Sequence, residues 1–81
     1  MSEAVRLKYI QAMAYMNQEY FGRAEQCYSA AIKLTSVPCG ELYAGRAKAR
    51  FNQFNHYEAL LDLDMVDKTN GGCSLEEMVG L

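Results

Sequence analysis

The sequence predicts an all-α fold of antiparallel helix pairs, on two observations. Apolar residues recur at the i, i+3, i+4 spacing of a helix face along most of the chain, and no stretch of useful length alternates as a strand would. Displaced against itself by 35 residues, the sequence also matches itself: Ala12, Ala14, Asn17, Gln18 and Ala24 fall on Ala47, Ala49, Asn52, Gln53 and Ala59. Five ordered identities within thirteen residues point to a duplicated helix pair, and further along Tyr28 and Ala31 meet Leu63 and Val66 with apolar character kept.

The first helix is expected from about Ser2, a residue suited to the N-cap, to about Gln18, with Ala12, Tyr15 and Met16 on one side. The second runs from about Phe21 to Leu34, where Phe21, Ala24, Tyr28 and Ala31 form one continuous face. Thr35-Ser36-Val37-Pro38-Cys39 breaks the pattern and opens a third helix, because proline is tolerated in a first turn but not in a helix interior. That helix continues to about Gln53. The fourth, from about His56 to Lys68, carries Ala59, Leu63 and Val66 and stops at Thr69-Asn70-Gly71-Gly72, where Asn and Gly accept left-handed backbone. Ser74-Leu75-Glu76-Glu77 has capping-box spacing and is expected to begin a fifth helix, a cap or third unit over 74–81. The whole chain is one domain, with one repeat over about 5–37 and a second over about 38–72.

Small residues have a particular place in this plan. Ala12 with Ala24, and Ala47 with Ala59, are expected where the helices of each pair cross, since missing side chains let backbones approach; Tyr15, Tyr28 and Leu63 fill the wider space around them.

Composition narrows the function classes. With 81 residues, 51% hydrophobic and 22% charged, the chain has the make-up of a folded helical domain and not of a disordered one. A domain this small buries only about 60–65% of its unfolded surface, which makes its stability marginal. No apolar stretch approaches the roughly 20 residues of a membrane span, and the first residues lack the pattern of a secretory signal. The three cysteines, Cys27, Cys39 and Cys73, are irregularly spaced and odd in number. They suit reduced thiols, hence a cytoplasmic location, better than a disulfide framework. A net charge of −2 offers phosphate backbones no general attraction, so neither nucleic acid nor membrane is expected as a partner.

The helix pairs resemble tetratricopeptide repeats. The first match comprises Ala12-Met13-Ala14-Tyr15, then Tyr20-Phe21-Gly22-Arg23-Ala24, Tyr28 and Ala31-Ile32-Lys33-Leu34; the second comprises Tyr43-Ala44-Gly45-Arg46-Ala47 and His56-Tyr57-Glu58-Ala59-Leu60-Leu61-Asp62. The last strings are similar to those of co-chaperone-type repeats. Glu19 and Phe54 stand where the family commonly has a turn glycine, and Ser36 where a proline closes the repeat. The resemblance implies a scaffold whose first helices line a concave groove for a peptide or helix of another protein. Its groove positions are Arg6, Tyr9, Met13, Met16 and Asn17 in the first repeat, and Glu41, Ala44, Lys48, Phe51 and Asn52 in the second. Positions that grip a chaperone's C-terminal carboxylate in some relatives hold Tyr9, Met13 and Gly45 here, which lack the required donors and argue against that ligand.

Other candidates have plainer readings. The Tyr9, Met13, Met16 stripe is either a groove or a face buried against a neighbouring chain or helix; the alternative role is accordingly a structural or oligomerisation segment whose open repeat faces pair with another copy, as a homodimer, or with the rest of a longer chain. Arg46 and Arg50 share a helix side while Lys48 points away, so the basic cluster is expected to be mostly structural. His56 and the cysteines lack the spacing of a metal site or a nucleophilic pair, and neither catalysis nor a metal or cofactor is expected. Glu58, Asp62, Asp64 and Asp67 are expected on a solvated face, with Asp62 a candidate to pair with a base of the third helix.

Overall fold

The computed structural model describes residues 2–69. They form four helices, α1 (Glu3–Asn17), α2 (Phe21–Leu34), α3 (Gly40–Asn52) and α4 (His56–Lys68), and among the described residues there is no strand. The expected fifth helix and the glycine stop after Thr69 lie outside the described residues. Neighbouring helices pack in sequence and antiparallel: Tyr9 and Tyr15 of α1 meet Tyr28 and Arg23 of α2, Arg50 and Arg46 of α3 meet Glu25 and Ser29 of α2, and Arg50 and Arg46 meet Glu58 and Asp62 of α4.

Local chemistry sets each boundary. Ser2 caps α1, its hydroxyl accepting the Val5 N–H at 3.3 Å, with Glu3 favourably placed in the first turn. α2 ends at Thr35, whose extended backbone is accompanied by a hydrogen bond from its hydroxyl to the Val37 carbonyl. Pro38 stands two residues ahead of α3 and not within its first turn. The link bends at Ser36 and Val37, and Cys39, the N-cap of α3, has extended backbone.

The turns inside the two pairs are the same structure built twice. Gln18 and Gln53 close α1 and α3 with φ, ψ of −90°, 1° and −96°, 9°. Glu19 and Phe54 follow in the left-handed region at φ 62° and 65°. Tyr20 and Asn55 then cap the next helices at −89°, 71° and −88°, 66°. In each turn the last N–H reaches back five residues, Tyr20 to Tyr15 and Asn55 to Arg50, both at 2.9 Å, while Glu19 and Phe54 donate to Met16 and Phe51. This is the Schellman arrangement, built with side-chain-bearing residues where glycine is usual. The repeat seen at an offset of 35 residues is thus a repeat of backbone geometry.

Packing follows the alanines. Ala12 and Ala24 are fully buried where α1 and α2 cross, and Ala47 and Ala59 are buried where α3 crosses α4. Tyr9 and Tyr28 make an edge contact at 6.2 Å between centroids, and α3 lies over Tyr28 at Gly45, where a Cβ would collide with the phenol. Leu42 and Cys39 complete that seam. Leu63, expected to fill space as Tyr28 does, instead stands 47% exposed, because no described element lies on α4 as α3 lies on α2.

Replacing Ala24 or Ala59 by Leu is expected to overpack a helix crossing and lower stability by about 1–3 kcal/mol. Urea unfolding measures this, and an unchanged midpoint in both variants would contradict the packing described.

Candidate partner-binding surface

The surface is held in shape by a polar clasp across three helices. Asp62 of α4 is 2% exposed, and its carboxylate accepts two hydrogen bonds from Arg46, at 3.0 Å from Nε and 2.8 Å from Nη2. Arg50 adds a third at 3.0 Å from Nη1 and turns its Nε to Glu25 of α2 at 2.8 Å. Arg46 also donates to Ser29, and Gln53 to Glu25 at 2.8 Å. The i, i+4 spacing that puts Arg46 and Arg50 on one side of α3 aims both at Asp62. Asp62 is therefore not part of a solvated face, and the two arginines are committed within the fold. Lys48, two residues from each, faces outward and is exposed.

Electrostatics follow from this arrangement. Burial pushes the Glu25 carboxyl up, but hydrogen bonds from Arg50 and Gln53 and the charges of Arg50 and Arg46 outweigh it, leaving the group below its ordinary value. Burial, with smaller contributions from Tyr9 and Glu41, pushes the Tyr28 phenol up to about 12. Tyr9 is raised as well, by burial and then by Glu41, so both phenols are neutral at physiological pH.

The expected groove residues divide. Tyr9 is only 8% exposed: α2 and α3 close over it, so its ring belongs to the core and not to an open groove. Met16 is half-buried against the same core, and Arg6 is half-buried and engaged. Met13 and Asn17 are exposed on α1. On α3, Glu41 and Ala44 are exposed, as are Lys48, Phe51 and Asn52, with the Asn52 amide turned back onto the Lys48 carbonyl at 2.8 Å. Lys48 and Phe51 are brought together with Ala44, Ala47, Ala59 and Leu63 around an almost wholly apolar recess of about 200 Å³ between α3 and α4. Met13 and Asn17 do not line it. A wider cleft of about 550 Å³ between α1 and α2 is of mixed character, lined by Lys8, Gln11 and Gln18 as well as Ala14 and Cys27, and its Arg23 lies over the rings of Tyr15 and Tyr20.

Beside the recess Phe51 belongs to an aromatic cluster whose other members, Phe54, His56 and Tyr57, sequence reasoning did not assign to binding. Phe51 is 59% and Phe54 84% exposed, and His56 contacts both rings, at 4.7 and 6.3 Å between centroids; Tyr57 next to it is also exposed. The one available signal was Phe54 itself, a bulky residue at a position whose left-handed backbone favours glycine. Among the described residues no group of three or more His, Cys, Asp or Glu is placed to hold a metal. Cys27 is free and half-buried, but Cys39 is disulfide-bonded. The expectation of reduced thiols fails at Cys39, and with it the ground on which cysteine usage pointed to the cytoplasm. No described helix is long and apolar enough to cross a membrane.

Comparison with known proteins finds no matching family model, no matching curated protein and no matching solved structure.

Two outcomes test the clasp. Asp62→Ala is expected to cost about 3–5 kcal/mol, because it leaves two inward-turned guanidinium groups without their shared carboxylate; a loss below about 1 kcal/mol, the range of exposed pairs, would contradict it. Glu25, lowered from its ordinary 4.5, contributes stability that is present above that value and lost as pH falls through its folded-state value. The stability difference between wild type and Glu25→Gln should therefore shrink on acidification below 4.5. Urea unfolding across a pH series checks this, and a constant difference would count against it.

Proposed function

We propose that this chain is a protein-interaction module of tetratricopeptide-like form, presenting the open side of α3 and α4 to a peptide or helix of another protein. One observation carries the reading: Phe51 and Leu63 stand open on either side of an apolar recess, with Lys48 at its rim. Large apolar side chains left in water around a concavity with a polar edge are the mark of a docking surface. Phe54 adds to the argument. A bulky residue held at positive φ carries a backbone cost, and here its ring is not repaid by burial, which favours a contact outside the chain. The duplicated turns and alanine crossings support the repeat-like form. The arginines that would have suggested an acidic partner are spent on Asp62 and Glu25, which leaves Lys48 as the cation offered at this surface.

Self-association is the second reading, and a specific observation favours it. Exposed apolar side chains continue beyond the recess along α4, at Tyr57, Leu60 and Leu61, more widely than a single peptide needs. Sedimentation over a concentration series separates the two readings, since a chain that stays monomeric and folded when dilute is not an obligate dimer.

For the leading reading, a partner recovered on the immobilised chain is expected to bind roughly tenfold more weakly to Phe51→Ala and to Lys48→Glu, as truncation at interface anchors does. Both residues are exposed, so helix content by circular dichroism should not change. Binding indifferent to both variants would remove this surface from the account.

A further inference from the structure

The recess between α3 and α4 corresponds, residue for residue, to a seat that is already filled elsewhere in the molecule. At the offset of 35, its floor, Ala47 and Ala59, is the image of Ala12 and Ala24, and its walls Ala44, Lys48, Phe51 and Leu63 are the images of Tyr9, Met13, Met16 and Tyr28. On the first pair this surface is covered by α3, which runs antiparallel to α2 and presses Gly45 onto Tyr28. On the second pair the floor is equally buried, but Leu63 and Phe51 remain in water.

We infer that the recess seats an amphipathic helix of a partner protein, laid on α3 and α4 as α3 lies on α1 and α2, with an apolar anchor in the recess and a carboxylate toward Lys48. The inference deepens the interaction reading proposed above and rests on it. Helical form follows from the seat, because the same two-alanine floor is occupied by a helix where it recurs. An apolar anchor follows from the substitutions between the images. Tyr9 and Tyr28 fill the first seat so fully that α3 can offer it only a glycine, whereas Ala44 and Leu63 remove both phenol rings and open the recess of about 200 Å³. A leucine or methionine side chain suits that space where a glycine would leave it empty. The carboxylate follows from charge. Lys48 replaces Met13 at the rim, and no ion pair engages it among the described residues, while Arg46 and Arg50 are held inward. An acidic residue one turn from the anchor completes a contact to Lys48.

The test uses the full chain and a fluorescein-labelled, lactam-bridged alanine-based helix of about fourteen residues, bridged because so short a helix is marginal alone. It carries one Leu anchor and one Glu four residues before it, and binding is read by anisotropy. Saturable binding is expected, weakened at least about tenfold by Leu→Ala in the peptide or by Ala44→Trp in the chain, which plugs the recess. Lys48→Glu should weaken it too, with a Glu→Lys peptide restoring affinity. Absence of saturable binding, indifference to Ala44→Trp, or failure of the charge-swapped pair to recover overturns the inference. So do nuclear Overhauser contacts in the free chain between Leu63 and residues 70–81, or a dimer dissociated by Ala44→Trp, which would assign the recess to this chain or to a second copy. If Phe51→Ala releases a captured partner but Ala44→Trp does not, this inference fails while the interaction reading stands.

Discussion

A carboxylate withdrawn from water must be matched by donors on every open side, and in this molecule that requirement falls on Asp62. Its two oxygens take three charged hydrogen bonds from Arg46 and Arg50, and the donors that remain on those arginines reach back to Ser29 and Glu25. A single buried acid on α4 thereby fixes the angle of α3 and, through α3, the position of α2. A buried ion pair of this kind is not a large source of net stability, since desolvation offsets most of its attraction. What it supplies is register: α4 cannot slide along α3 by a turn without leaving charge unmatched. The apolar contacts around it, mostly alanine against alanine, are too uniform to define that register alone.

The alanine crossings and the clasp answer different needs of a small domain. Close backbone approach at Ala12 with Ala24, and at Ala47 with Ala59, gains dispersion contacts where large core residues are few; Leu42, Val5 and Cys39 are the largest fully buried side chains among the described residues. The seam between pairs uses the same device in sharper form at Gly45, where the Tyr28 ring takes the space a Cβ would need. Each pair is closed by a turn that spends backbone strain at Glu19 or Phe54 to bring its helices together in three residues. Because both turns have the same dihedrals, the two pairs present corresponding surfaces. The first is covered by the second, and the second is left with Leu63 and Phe51 in water.

Much of this was legible in the sequence. Apolar period and the Pro38 break located four helices, and the offset of 35 found the alanine crossings, because a crossing is set by local spacing within one pair. The pairing of Asp62 with a base on α3 was legible for the same reason, although its burial was not. What escaped depends on what a neighbouring pair covers. Tyr9 read as a groove residue by its place on α1, yet α3 closes over it with Gly45 against Tyr28. Leu63 read as filler by analogy with Tyr28, yet no described helix covers it. That Arg46 and Arg50 share one side of α3 while Lys48 points away was legible from their spacing, but their partners on α2, Ser29 and Glu25, were not. At the recess, the outward placing of Lys48 and Phe51 on α3 was legible from their positions, while the exposure of Phe54 was not, because a turn position with left-handed backbone reads as conformational only. The disulfide at Cys39 was not legible, since spacing among three cysteines does not determine pairing.

The clasp and the seat of Tyr28 on Gly45 join the two helix pairs across α2 and α3, and the pairs are expected to open as one cooperative unit. Native-state hydrogen exchange reads this directly, because each slowly exchanging amide reports the free energy of the opening that exposes it. The most protected amides of α1 and α2 should share one opening free energy with those of α3 and α4, and should respond equally to low concentrations of denaturant. Two well-separated free energies, with one pair opening while the other stays protected, would contradict the claim.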